Sequence, residues 1–260
     1  MNDVRLKDIP KHLGINKGDS VLVSSSVKKL VDVEKKFTDN VDLNDLIDGF
    51  INAIGENGTL LFPTYNWGFC KGITFDYKHT QSEVGYLSVE ALKRDDFTRT
   101  RHPIYSFAVW GKDKRFLFEL DNKSSFGLNS PFNYMKEHNT KNVIIDVSLQ
   151  HSFTYVHYVE QSSNLCSAYR YNKDFTSGYI DENGNKTLRT YSMFVRNLEK
   201  EVLNTVDPIE SDFISKGVEN IYNLNNSNIK VIELGKCYDI ILEDIKSNNS
   251  KKICTYKGQV

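Results

Sequence analysis

Apolar positions in this chain fall into short continuous runs separated by stretches with helical spacing. Val21, Leu22 and Val23 break into Ser24, Ser25 and Ser26 before residues 27–30 turn amphipathic, a pattern that predicts strand, turn and helix start. Leu43, Leu46, Ile47, Phe50, Ile51 and Ile54 recur three and four apart and stop at Gly55, a residue suited to the left-handed position that closes a helix. Apolar runs at residues 58–62, 104–110, 143–147 and 229–234 predict buried strands, the first closed by Pro63. Strands that are apolar on both faces and alternate with helical segments imply a sheet covered on each side, a three-layer α/β/α sandwich. Neither a repeat nor a linker interrupts this order. The Asn- and Lys-rich patches at residues 223–228 and 246–252 read as surface loops, as do residues 65–79 and 178–189.

Composition narrows the picture. A chain of 260 residues with 39% apolar and 12% aromatic content can bury one large core, so one domain over residues 1–260 is expected. Cys70, Cys166, Cys237 and Cys254 form no C-x-x-C pair and have no histidine at zinc-finger spacing, which argues against a disulfide framework or a structural metal and for a reducing cytoplasm. The 33 basic and 34 acidic residues leave a net charge of −1, too even a balance to hold nucleic acid. No run approaches the length of a membrane span and residues 1–14 lack a signal-peptide pattern, so a soluble, unexported protein is expected, with a homo-oligomer left open.

Three groupings carry candidate chemistry. On a helix after the run at 143–147, Thr154, His157 and Glu160 share one drifting face, and Glu160 reaches His157. A carboxylate beside an imidazole fixes its tautomer and raises its basicity, as a base that deprotonates an amine or hydroxyl requires. The same spacing fits a surface pair or a core histidine; it does not fit a zinc motif, and no G-x-S-x-G elbow points to an acyl-enzyme. The turn at Ser24, Ser25, Ser26, Val27 and Lys28 feeds a helix whose first amides lack helical partners, a corner that binds phosphate or is simply capped by serine. The cationic segment Arg99-Thr100-Arg101-His102-Pro103 before a strand reads either as an anion site or as a solvated loop.

The order of these pieces resembles the aminoglycoside 3-N-acetyltransferase family, whose G-D-x-V-x-V-H-x-S-L, G-x-x-G-T-L-x-x-P-T, R-S-x-H-P-x-x-S, S-P and T-x-x-H-x-x-E motifs follow one another along the chain. Here residues 18–27 read GDSVLVSSSV, 55–64 GENGTLLFPT, 99–106 RTRHPIYS, 130–131 SP and 154–160 TYVHYVE, in unbroken order. Ser24 stands where the family has histidine and Thr100 where it has serine, which weakens side-chain roles at both positions. The resemblance implies a three-layer sandwich around a central mixed sheet and a coenzyme A dependent N-acyltransferase, using acetyl-CoA or another short acyl-CoA and no metal. His157 matches the catalytic histidine with Glu160 in support. Residues Ser24 to Lys28 match the pyrophosphate-cradling turn, and His102 and Ser106 match the third motif, assigned to the cofactor.

The acceptor is expected to differ from the family's. An aminoglycoside is a polycation and calls for carboxylates, whereas residues 168–175 read AYRYNKDF, a basic and aromatic stretch suited to stacking a base and pairing a diphosphate, or else a solvated surface strand. Tyr169, Arg170 and Lys173, with Thr154 and with Tyr65 and Trp67 beyond the Pro63 strand end, are therefore expected to contact a nucleotide-linked amino sugar. An aminoglycoside acetyltransferase and a non-catalytic module binding coenzyme A or a sugar nucleotide are the alternatives.

Overall fold

The structure, a computed structural model, describes residues 3–259; Met1, Asn2 and Val260, part of the expected domain, lie outside the described residues. The described residues form twelve strands, nine α-helices and four 3-10 turns, the first of these ahead of β1. The N-terminal part runs β1 (Ser20–Ser25), α1 (Lys28–Glu34), α2 (Asn44–Ile54), β2 (Thr59–Pro63), β3 (Phe75–Asp76), α3 (Tyr86–Leu92), β4 (Thr98–Arg99) and β5 (Phe107–Gly111). The middle holds α4 (Lys114–Glu119), α5 (Pro131–Glu137), β6 (Lys141–Ile145), α6 (Leu149–Ser152), α7 (Tyr155–Ser163), β7 (Arg170–Ile180) and β8 (Lys186–Arg196). The chain closes with β9 (Leu203–Asn204), α8 (Glu210–Ser215), β10 (Glu219–Leu224), β11 (Ser227–Glu233), α9 (Leu234–Ser247) and β12 (Cys254–Thr255).

Seven strands form one mixed sheet in the order β10-β11-β6-β1-β2-β5-β4, in which β6, β1 and β2 are parallel and the flanking pairs antiparallel. Side chains alternate across it and feed two separate cores. Leu22, Leu61, Val109, Ile144 and Ile232 face one core; Val21, Val23, Leu60, Phe62, Ala108, Val143, Ile145 and Val231 face the other. The second core is closed by α1, α2 and α3 and the 3-10 turn Leu6–His12, with Leu46, Ile47, Phe50 and Ile54 of α2 fully buried. Each such side chain contributes about 1.5–3 kcal/mol of burial. The first core lies under α5, α7 and α9 and a smaller three-stranded sheet, β3-β7-β8. Covering on both faces is the expected sandwich, and the chain meets the expectation that the sheet is mixed.

Helix α2 ends at Gly55 with φ 64°, as its sequence predicts. Gly111, at φ 101°, ends β5 so close to the neighbouring strand that a Cβ would lie 2.2 Å from the Gly58 carbonyl oxygen. Two expectations need correction. Residues 104–106 are not strand, because the backbone there bends around buried polar groups, with Ile104 N and Tyr105 N both donating to His102 Nδ1. Residues 178–189 are not a loop but the tip of the β7–β8 hairpin, whose register runs unbroken from Arg170 opposite Arg196 to Ile180 opposite Lys186. Among the described residues no helix is long and apolar enough to cross a membrane, and all four cysteines are free.

Candidate active site

The three parallel strands end on one edge of the sheet, and each delivers a different piece of the site, the usual place for ligands in open α/β sheets. Ser24 and Ser25, expected in a turn, are the last residues of β1, which leads into Ser26 and Val27. Beyond β2, the chain runs through Thr64 to Tyr65 and Trp67. Past β6 it turns at Asp146, enters α6 and then α7, and so presents Thr154 and His157.

His157 Nδ1 lies 2.6 Å from Glu160 Oε2, three residues along α7. Glu160 is 1% exposed, and the Arg170 guanidinium meets the same oxygen with Nε at 2.9 Å. Burial pushes the Glu160 carboxyl up, but the Arg170 charge and then His157 outweigh it and hold the group below its ordinary value. Burial, followed by the Arg170 charge, pulls His157 below its ordinary value against the opposing pull of Glu160. The imidazole is therefore neutral at neutral pH. With Nδ1 as the donor to Glu160, Nε2 carries the lone pair, and the Phe126 ring packs edge-on at 5.8 Å to fix the plane.

Three recesses surround this group. An open groove of about 890 Å³ is lined by Ser25, Ser26, Val27, Lys28, Val31 and Lys35 on one side and by residues 81–86 and Val89 on the other. It adjoins an inner chamber of about 400 Å³ through Ser25, Val84 and Gly85, which line both. Ser24, Tyr65, Trp67, Tyr105, Thr154 and His157 complete that chamber. On the other side of His157 lies a cleft of about 720 Å³ whose wall again includes Trp67, Tyr105 and His157 and continues through Arg170, Tyr171, Lys173, Phe175, Phe194, Arg196 and Asn204. Its lining holds three cationic side chains and, among the described residues, no carboxylate.

The structure thus brings together Ser24, Ser25, Ser26, Val27, Lys28, Tyr65, Trp67, Thr154, His157 and Lys173 along one path. Three expected residues are not on it. Ser106 is fully buried, with its Oγ between Thr64 O, Thr64 Oγ1 and Arg99 Nε. His102 is 1% exposed, its Nδ1 accepts from two backbone amides, and burial pulls its pKa down to about 3. Neither side chain reaches the groove, so their assignment to the cofactor is corrected to a structural one. Arg99, too, is consumed internally by Ser106, Thr80 O and Thr64 O, while Arg101 pairs with Glu182 in the wall of a separate recess that also holds Lys123 and Arg189. Tyr169 is 2% exposed, with its hydroxyl on Ser250 Oγ and its ring stacked on Tyr256, and has no face left for a base. Arg170 lines the cleft, but its charge is spent on Glu160.

Tyr105, Gly85, Ser88 and Arg196 belong to the walls and were not singled out from sequence. Arg196 had a signal only through pairing, because it stands opposite Arg170 in the hairpin. Nothing in the residues around Gly85 marks them.

The family model described as aminoglycoside 3-N-acetyltransferase matches residues 22–245. No curated protein matches the chain in sequence. Among solved structures, the YokD protein from Bacillus subtilis aligns with a TM-score of 0.76 at 19% identity, over 96% of this chain and 96% of that one. Aminoglycoside acetyltransferase AAC(3)-Xa gives 0.75 at 16% identity over 93% and 91% of the two chains. AAC-IIIb, solved as a binary complex with CoASH, gives 0.75 at 15% identity over 94% and 95%. At these identities the likeness is one of fold.

Proposed function

Because the chain belongs to the aminoglycoside 3-N-acetyltransferase family, we propose that it transfers a short acyl group from coenzyme A to the amine of a nucleotide-linked amino deoxysugar, with His157 as general base. The observation that carries this reading is the position of His157, whose ring forms part of the wall of both the groove-linked chamber and the basic cleft. The donor enters along the groove, where the walls are apolar at Val31, Leu43 and Val89 and carry Lys28 and Lys35 alongside Asp32 and Glu83. These residues fit a long, flexible ligand with a charged end, which supplies a thioester carbonyl to the chamber. In the cleft, Lys173 and Arg196 suit a diphosphate and oppose a polycation.

His157 Nε2 takes the proton from the acceptor nitrogen as that nitrogen bonds to the thioester carbon, and returns it to the departing sulfur when the carbon–sulfur bond breaks. Glu160 stabilises the imidazolium formed between these two events. Thr154, one turn earlier, and Tyr65 border the same chamber and confine the acyl end.

The test is acceptor-dependent thiol release from acetyl-CoA and a short hydroxyacyl-CoA, with dTDP-, UDP- and GDP-linked amino sugars set against aminoglycosides. Turnover on a sugar nucleotide is expected; turnover on aminoglycosides alone would replace the acceptor, and acyl-CoA binding without any acceptor turnover would favour a binding module. The lowered His157 pKa also fixes a pH profile. Protonation removes the base, so kcat with the acceptor saturating is expected to fall on acidification through the imidazole's folded pKa, with that limb below about 6.5, while kcat/KM carries a further limb from the acceptor's own ammonium. A kcat limb above that value that does not move with the acceptor amine's pKa would mean that a different group acts as base.

A further inference from the structure

We infer that Arg170 is a positioning residue for this reaction: its guanidinium, anchored from three elements, holds the Glu160 carboxylate on His157 Nδ1 and so keeps Nε2 as the basic nitrogen. The inference rests on the acyl-transfer reading above. It also replaces the expectation that Arg170 contacts the acceptor.

Arg170 opens β7 and is 3% exposed. Its Nε lies 2.9 Å from Glu160 Oε2, its Nη2 donates to Asn204 Oδ1 at 2.5 Å, and its Nη1 reaches Phe194 O at 3.4 Å. Hydrogen bonds to β8 and β9 thereby hold the planar fork, and an ion-pair contact that lacks hydrogen-bond alignment sets its Nε against the Glu160 carboxylate of α7, a geometry that a lysine ammonium reproduces only in charge. Such anchoring is more than a cation needs merely to be buried. It fixes where the carboxylate oxygen sits, and that same oxygen receives the His157 hydrogen bond.

Electrostatics point the same way. The groups facing Glu160 are His157, Arg170, Tyr169, Cys166 and Cys254. Burial raises the Cys166 and Cys254 thiols to about 11 and about 12, and it raises the Tyr169 phenol as well, so all three are neutral at working pH. The groups facing His157 are Glu160, Arg170 and the exposed Arg196. A fully buried carboxylate without its cation takes up a proton rather than remain charged. A neutral carboxylic acid no longer selects which imidazole nitrogen carries hydrogen.

The test compares Arg170→Met, Arg170→Lys and Asn204→Ala with the wild type by steady-state kinetics and by nitrogen-15 NMR of His157. For R170M, kcat is expected to fall about 10–100-fold, within the range that orients a general base, with acceptor and donor KM changed less than about twofold. The His157 signals are expected to pass from one tautomer, with hydrogen on Nδ1, to a mixture. R170K, which restores the charge but not the fork, is expected to recover the tautomer bias and only part of the kcat, and N204A, which loosens one anchor, to show a smaller version of both losses. A rise in acceptor KM with kcat intact would make Arg170 an acceptor contact, and an unchanged tautomer with unchanged kcat would also overturn the inference. Should R170M fail to fold, R170K and N204A decide it by the same readouts. The NMR result does not depend on turnover, so an inactive wild type would count against the acyl-transfer reading alone.

Discussion

Replacing His157 with asparagine is expected to lower kcat for acyl transfer by about 10²–10⁴-fold, the usual contribution of a positioned general base. A sugar amine is mostly ammonium at neutral pH, and the ammonium has no lone pair with which to attack. Once the amine is free, its proton must still leave as the new bond forms, and the proposed acceptor is Nε2 of His157, which lines the chamber. A carboxamide at that position can still hydrogen-bond Glu160, which keeps its Arg170 ion pair, so the variant loses proton transfer and little else. Its residual rate is expected to rise with pH, as the free-amine fraction grows, and to lack the acid limb of the wild type. Thiol-release kinetics with both substrates saturating check this. A variant within about twofold of wild type would remove His157 from the mechanism.

Reversing charge in the cleft carries the second large effect. Lys173→Glu combined with Arg196→Glu is expected to raise KM for a nucleotide-linked acceptor by about 10²-fold or more, since each charge-assisted contact to a phosphate is worth roughly 1.5–3 kcal/mol and each 1.4 kcal/mol is tenfold. Both side chains are exposed, and Arg196 is tied only to the Val202 carbonyl, at 3.2 Å, so the fold should tolerate the change. Donor KM is expected to stay put, because neither residue lines the groove. Added salt is expected to weaken acceptor binding in the wild type and to strengthen it in the variant, where it screens repulsion instead of attraction. An unchanged acceptor KM would show that the acceptor's charge lies elsewhere.

Much of this was legible in the residues because it is local. The run at 21–23, the helix ending at Gly55, and Thr154, His157 and Glu160 on one face all follow from spacing along a single element. The motifs in order carried the family. What stayed hidden depends on contacts between elements. His102 and Ser106 sit in matching motifs yet point inward: Ser106 Oγ serves the buried Arg99 guanidinium, and His102 Nδ1 caps the amides of Ile104 and Tyr105. Arg170 looked like a free cation in a mixed stretch. Its partner is only ten residues away, but across a turn that no periodicity describes. The β7–β8 hairpin was missed at its second strand, whose first half is exposed and polar on both faces and so gives no apolar alternation to read.

The chamber and the cleft have only Trp67, Tyr105 and His157 in common. That arrangement makes the molecule a corridor with a door at each end and one post standing between them. On the proposed reaction neither visitor would have to pass the other to reach the post, and whichever left first would do so by its own door. Two substrates that need not queue can keep their own timing, so the chain would have no need of a covalent stop along the way.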